Sequence, residues 1–116
     1  MSPRDLASLR DMIDAARNAL ATAARTDLQA LSGDTDRRQS LLYSLIVLGE
    51  AARRLSPELT SAHPHIPWRD IRDTRNRVAH GYDDIDHHLV WSIATVELPT
   101  LLPALIAITP PNDLHG

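Results

Sequence analysis

Leu41-Leu-Tyr-Ser-Leu-Ile-Val-Leu-Gly-Glu-Ala-Ala-Arg-Arg-Leu55 decides the fold class. Leu41, Leu45, Leu48, Ala52 and Leu55 recur at alternating steps of four and three, the spacing of one helix face. Leu42, Ile46 and Gly49 widen that face. A helix apolar over so broad an arc has neighbours on two sides, so it belongs at the centre of a bundle. The pattern predicts a helix from Asp36 to Leu55. Gly49 weakens it, which points to a second backbone lying close at that position. Glu50 and Arg54 stand in the favourable order for an i,i+4 ion pair on the solvated side.

Upstream, Ser2-Pro3-Arg4-Asp5 reads as a helix start: a serine cap, proline in the first turn, an acid three residues on. Leu6, Leu9, Ile13, Ala16 and Leu20 then form a narrow seam, and the helix is expected to reach Ala24. Thr26-Asp27 caps a short helix through Leu31, stopped by Ser32-Gly33. Downstream, Ser56 to Pro67 reads as a connector, with prolines at 57, 64 and 67. It holds His63 and His65, but no carboxylate or cysteine stands beside them at ligand spacing, so no metal site is expected. A last helix is expected from Asp84 or Asp86, with His87 and His88 as surface residues of its first turn and Trp91 in core or dimer packing. Pro99 should kink or restart it. The apolar pattern continues past Pro103 to Ile108, and Thr109 to Gly116 reads as a loose tail. The whole is an all-α bundle of four to five helices in a single domain, residues 1–116.

Composition agrees. Phenylalanine is absent and the core must be Leu, Ile, Val and Ala, which favours helices over a sheet. With no cysteine there is neither a disulfide framework nor thiolate chemistry. A net charge of −3 argues against indiscriminate nucleic-acid binding; all 12 basic residues are arginine, which suits bidentate phosphate contacts but is explained first by a GC-rich genome. No apolar run is expected to span a bilayer, no basic amphipathic face suggests a membrane surface, and the N-terminus lacks a secretion-signal core. The expected location is the cytoplasm.

The chemistry-bearing stretch is Ile66-Pro-Trp-Arg-Asp-Ile-Arg-Asp-Thr-Arg-Asn-Arg-Val-Ala-His-Gly-Tyr82. Pro67 fits a first helical turn and Gly81 a stop, so one helix from residue 68 to 79 or 80 is predicted. Trp68, Ile71, Val78 and Ala79 share a stripe on that helix, and Arg75 falls inside it. Such an arginine faces an interface or a ligand in preference to open water. Asp70, Asp73 and Arg77 point away into solvent, and Arg72 and Asn76 flank the stripe. His80 lies about 140° round an ideal helix from Arg75. The two converge only if the helix ends near His80, or if each meets its counterpart across a dimer.

Leu48-Gly-Glu-Ala-Ala-Arg-Arg-Leu55, Ile66-Pro-Trp-Arg-Asp-Ile71, Arg75-Asn-Arg-Val-Ala-His80-Gly-Tyr82, Val90-Trp91 and Leu98-Pro99 together resemble the HepT-like proteins of the HEPN superfamily. These are the toxin half of HepT/MntA toxin–antitoxin systems, of the type VII kind. The resemblance implies a HEPN-like bundle that forms a homodimer with its active site at the subunit interface. It also implies a metal-independent endoribonuclease that cuts tRNA or mRNA through the Arg-x4-His motif and needs no cofactor. Arg75 and His80 would be catalytic. RNA carries its own nucleophile, the 2′-OH; the imidazole of His80 can act as base or acid, and Arg75 stays charged and can clamp the phosphorane. Asn76 would be auxiliary, orienting His80 or the phosphate. Tyr82 would be the residue that a minimal nucleotidyltransferase antitoxin, MntA-like, adenylylates to silence the nuclease; a bulky anion beside His80 blocks the cleft and repels RNA.

Plainer readings stand beside these. Arg75 can pair with Asp73 or Glu50, His80 can serve a helix C-terminus, and Tyr82 can pack over the bundle end. The alternative function is a non-catalytic helical dimer that binds a nucleotidyltransferase and presents substrate or nucleotide to it.

Overall fold

The computed structural model describes residues 1–113. The chain forms α1 (Pro3–Ala24), α2 (Leu28–Leu31), α3 (Thr35–Arg53), α4 (Pro57–Ala62), α5 (Trp68–Arg72), α6 (Thr74–Val78), α7 (His87–Ser92) and α8 (Leu98–Ile108). A π turn, Ile93–Glu97, joins α7 to α8, and a 3-10 turn covers Pro111–Asp113. The fold is all-α; among the described residues the only β feature is one isolated bridge, Ala79 to Ile85. The end of the expected tail, residues 114–116, lies outside the described residues. Thr109, its first residue, is buried and donates its hydroxyl hydrogen to the Leu105 carbonyl at 2.8 Å.

The central helix is α3. Leu41, Leu45, Leu48, Ala52 and Leu55 are all buried, as their spacing requires. α1 packs along it; α8 and the π turn cover α1, while α5, α6 and α7 lie on α3. The seam on α1 is broader than the leucine pattern suggests. Leu9, Ile13 and Ala16 are buried together with Met12, Ala15, Ala19 and Ala23, whereas Leu6 and Leu20 are only half-buried. The alanines buried along α1 keep its packed face low, so that α3 can lie close against it.

Gly49 answers to a close approach. A Cβ built there would lie 2.8 Å from the Ile71 carbonyl oxygen and 3.4 Å from Thr74 Cβ. The end of α5 thus rests on the backbone of α3.

Ser2 caps α1 by accepting the Asp5 N–H at 3.0 Å. The Asp5 carboxylate reaches across to a second cap. It accepts the Ser56 N–H at 2.8 Å and the Ser56 hydroxyl at 2.6 Å, while Ser56 Oγ caps α4 by accepting the Leu59 N–H. One buried carboxylate therefore ties together the starts of two helices. The connector expected between Ser56 and Pro67 is in part this helix, because serine followed by proline is also a helix start.

The Ser56 hydroxyl hydrogen bond, opposed by burial, holds the Asp5 carboxyl below the usual carboxylate value. The unfolded chain therefore takes up that proton at higher pH than the folded one. The stabilisation is complete above the ordinary carboxylate range and is lost as pH falls through the depressed folded value. Asp5→Asn is expected to cost about 1–3 kcal/mol at pH 7. It should also flatten the fall of the melting midpoint between neutral and acid pH, followed by thermal melts across that range.

Arg54 does not pair with Glu50. It reaches Asp11 on α1 at 3.0 Å, because the packed neighbour offers a carboxylate across the helix interface. α7, the π turn and α8 run as one continuous 22-residue helix, His87–Ile108. The Leu98 N–H bonds to the Ile93 carbonyl, five residues back. The widened turn sits just before Pro99, where the missing N–H and the ring disfavour a regular α turn. By length and composition this helix is apolar enough to cross a membrane, which corrects the sequence expectation; 33% of its apolar window is buried in the fold.

Candidate active site

The motif segment is two helices, not one. Asp73 leaves helical geometry at φ −89° and ψ 8°, between α5 and α6. Thr74 is the cause the structure offers: it is buried, and its hydroxyl bonds the Ile71 carbonyl at 2.6 Å, taking up an acceptor that a continuous helix would keep. The break rotates the stripe. Trp68, Ile71, Thr74 and Val78 face the core, and Arg75, expected within the apolar stripe, is exposed.

The Arg75 side chain makes no ion pair or hydrogen bond with any described residue, so it pairs with neither Asp73 nor Glu50. Asp73 lies instead 3.9 Å from Arg53. Asn76, beside Arg75, is exposed as well.

α6 ends at Val78, and Ala79 is already extended at φ −111° and ψ 118°. His80 therefore stands on a strand-like segment beyond the helix, which removes the ideal-helix angle between it and Arg75. Residues 79–85 form a tight loop. Ala79 bridges Ile85, the His80 N–H donates to the Asp84 carbonyl at 2.8 Å, and the Asp86 N–H donates to the Val78 carbonyl at 2.7 Å. The His80 side chain is exposed, with Nε2 at 4.0 Å from Asp86 Oδ2. That separation is too long for a hydrogen bond and forms an ion pair only when the imidazole is protonated. Tyr82 stands at the loop tip, 99% exposed, and does not pack over the bundle end.

Arg77 departs from expectation. It is half-buried, not solvated, and forms a two-pronged bridge to Glu97 at 3.0 and 2.7 Å. The Glu97 hydrogen bonds raise the guanidinium pKa further above its already high value. Arg77 thus fastens α6 to the end of the π turn, leaving Arg75, two residues earlier, as the free cation of the pair. Asp86 and Glu97 were not apparent as site neighbours from the sequence. A hint to the first is the acid six residues after His80, on the far side of a Gly-containing turn.

The sequence profile of the ribonuclease HepT-like family matches residues 8–108, nearly the whole chain and all of the geometry just described. The chain belongs to that family. "Putative RNase MJ1380" of Methanocaldococcus jannaschii is 28% identical to this HepT-like chain over 102 residues, covering 87% of this chain and 94% of the relative. "Probable ribonuclease HepT" of Thermococcus cleftensis is 26% identical over 68 residues, 59% of this chain and 62% of the relative. "Putative RNase MJ0127", also of M. jannaschii, is 25% identical over 83 residues, 72% of this chain and 67% of the relative. No solved structure matches the chain at a significant level. The carboxylates and imidazoles of the described residues gather into no group of three that could hold a metal ion. His63 and His65 stand edge to face, with ring centroids 6.0 Å apart.

Proposed function

We propose that this HepT-like chain is a metal-independent endoribonuclease toxin, active as a cytoplasmic homodimer and silenced by adenylylation of Tyr82. The observation that carries the reading is the pairing of an unengaged, exposed Arg75 with an exposed His80 just past the end of the same short helix. Several other arginines of this chain are held by neighbours, Arg54 and Arg77 by carboxylates and Arg38 by carbonyls. Arg75 keeps all its donors for a phosphate.

In this scheme His80 of one subunit takes the proton from the ribose 2′-OH. The 2′-oxygen bonds to phosphorus, Arg75 stabilises the charge on the non-bridging oxygens, and the P–O5′ bond breaks. The second subunit's histidine gives its proton to the departing 5′-oxygen. The products are a 2′,3′-cyclic phosphate and a 5′-hydroxyl end, and no metal is consumed or required. Asn76, exposed and next to Arg75 in sequence, would hold the phosphate or the imidazole. Support for a second copy comes from the long helix His87–Ile108, on which Val96 is 67% exposed and Leu89, Trp91, Leu102 and Ile106 are only half-buried. An apolar face left part-open in this way suits a covering partner.

Tyr82 suits a control role because its phenol is open to an incoming enzyme. Transfer would join the phenolic oxygen to the α-phosphorus of ATP, with pyrophosphate leaving and the phenolic proton passing to solvent. The deciding experiment is cleavage of total tRNA in excess EDTA by protein shown by mass to carry nothing on Tyr82. Cleavage with cyclic-phosphate ends supports the nuclease. A lack of cleavage by such protein would favour the non-catalytic dimer that presents substrate or nucleotide to a nucleotidyltransferase. Tyr82→Phe should stay active and escape an MntA-like nucleotidyltransferase; silencing of that variant would remove Tyr82 from the control role.

A further inference from the structure

A cavity of about 490 Å³ lies where α2, the start of α3 and the start of α7 meet, walled by Leu28, Leu31, Gln29, Arg38, His87 and His88. Its volume falls within the usual range for small-ligand sites. The walls are mostly apolar, and no aspartate or glutamate lines it. Three features make it more than a gap between helices.

The first is a fixed cation. The Arg38 guanidinium is tied down on both terminal nitrogens. Nη1 donates to the carbonyls of Ser32 and Leu31, and Nη2 to the Thr35 hydroxyl. Its plane is therefore set before anything binds, and a guanidinium plane is a stacking surface. The second is an unsatisfied imidazole. His87 Nδ1 is buried and has no hydrogen-bond partner. The ring is half-buried in the cavity wall, and His88 beside it is exposed. The third is place. His87 directly follows Asp86, the acid 4.0 Å from His80 Nε2, so the cavity begins one residue beyond the group that faces the motif histidine.

A planar guest with apolar faces, polar edges and an anionic tether fits these walls. We propose that this cavity is a nucleobase subsite, receiving an unstacked base of the single-stranded RNA whose backbone crosses His80. The assignment rests on the nuclease reading above and adds to it where the strand is gripped. Leucine walls with a stacked guanidinium hold a base by its faces, while the Gln29 amide and the two imidazoles meet its edge.

The test measures binding of a fluorescein-labelled single-stranded RNA octamer in a His80→Ala background, which prevents cleavage. Two further changes are made separately: Leu28→Trp fills the cavity, and His88→Ala removes an exposed wall without touching the core. Octamers with one abasic position, scanned along the strand, are bound in parallel. The expected result is a rise of about tenfold in Kd for Leu28→Trp, the size of one lost stacked base, and a smaller rise for His88→Ala. One abasic position should weaken binding to the parent by a similar factor and have no further effect on Leu28→Trp. Unchanged affinity in both variants, or no abasic position that matters, would overturn the subsite. So would AMP binding that Leu28→Trp abolishes while RNA affinity stays the same, because the cavity would then serve a free nucleotide. Base-dependent binding by a protein whose His80 form fails to cleave RNA would sink the nuclease and leave the subsite standing. Cleavage by a protein whose affinity ignores the cavity would do the reverse.

Discussion

His80→Ala is expected to lower the rate of RNA cleavage by about 10²–10⁴-fold, the usual worth of a positioned proton-transfer group. In a dimer with two motif histidines the substitution removes base and acid at once, so the upper part of that range is expected. The fold should not follow. The His80 side chain is exposed, and the loop around it is closed by main-chain bonds from His80 N–H to the Asp84 carbonyl and from Asp86 N–H to the Val78 carbonyl. Removing the imidazole leaves both in place. Single-turnover cleavage of tRNA in EDTA, with circular dichroism and sedimentation run on the same samples, gives the two readouts. An unchanged rate would mean a contaminant or a different site. A lost rate with an altered sedimentation coefficient would mean that His80 holds subunits together and does not move protons.

A loss of stability is also expected from Gly49→Ala. Two contributions oppose each other. Alanine in place of glycine favours the helix by about 1 kcal/mol. Against it stands a Cβ at 2.8 Å from the Ile71 carbonyl oxygen, a backbone atom that already accepts the Thr74 hydroxyl at 2.6 Å. That oxygen cannot retreat without loosening Thr74, a buried residue at the junction of α5 and α6. Overpacking of this kind costs about 1–3 kcal/mol. It meets backbone and not a flexible side-chain end, so the loss should prevail and the thermal midpoint should fall by several degrees. The displacement falls on the segment that carries Arg75, so cleavage should weaken too. A variant as stable as the parent would show that α5 shifts at no cost.

Much of this was legible in the chain. The α3 face was, because five apolar positions at helical spacing admit one reading, and so were the caps at Ser2 and Asp27, whose side chains accept from Asp5 and Ala30 as their positions suggest. The close approach at Gly49 was legible from the penalty a glycine carries in a helix. What could not be read depends on partners distant in sequence. Arg75 falls within the apolar stripe only on a continuous helix, and the break at Asp73 arises from Thr74 folding onto Ile71 beneath α3. Arg77 looked solvated because its carboxylate lies 20 residues away on the last helix. Asp5 read as part of a local cap, yet its oxygens go to Ser56, 51 residues on. Arg75, Asn76, His80 and Tyr82 were singled out by residue type and by resemblance. Their common exposure is what the fold contributes to the case for them.

The π turn at Ile93–Glu97 has a consequence for how this chain can vary in length. It holds one residue more than a regular helical turn would, and it ends on Glu97, the partner of Arg77. Substitutions there keep the numbering of every face beyond it. Losing a single residue there would restore an ordinary turn and keep α8 in phase, because five residues at the wider pitch turn the helix about as far as four at the α pitch. Leu98, Leu101 and Leu105 would still face the core, whereas a one-residue loss beyond the turn would swing the rest of α8 by about 100°. The segment is therefore the one place on this helix where a one-codon deletion can be absorbed locally.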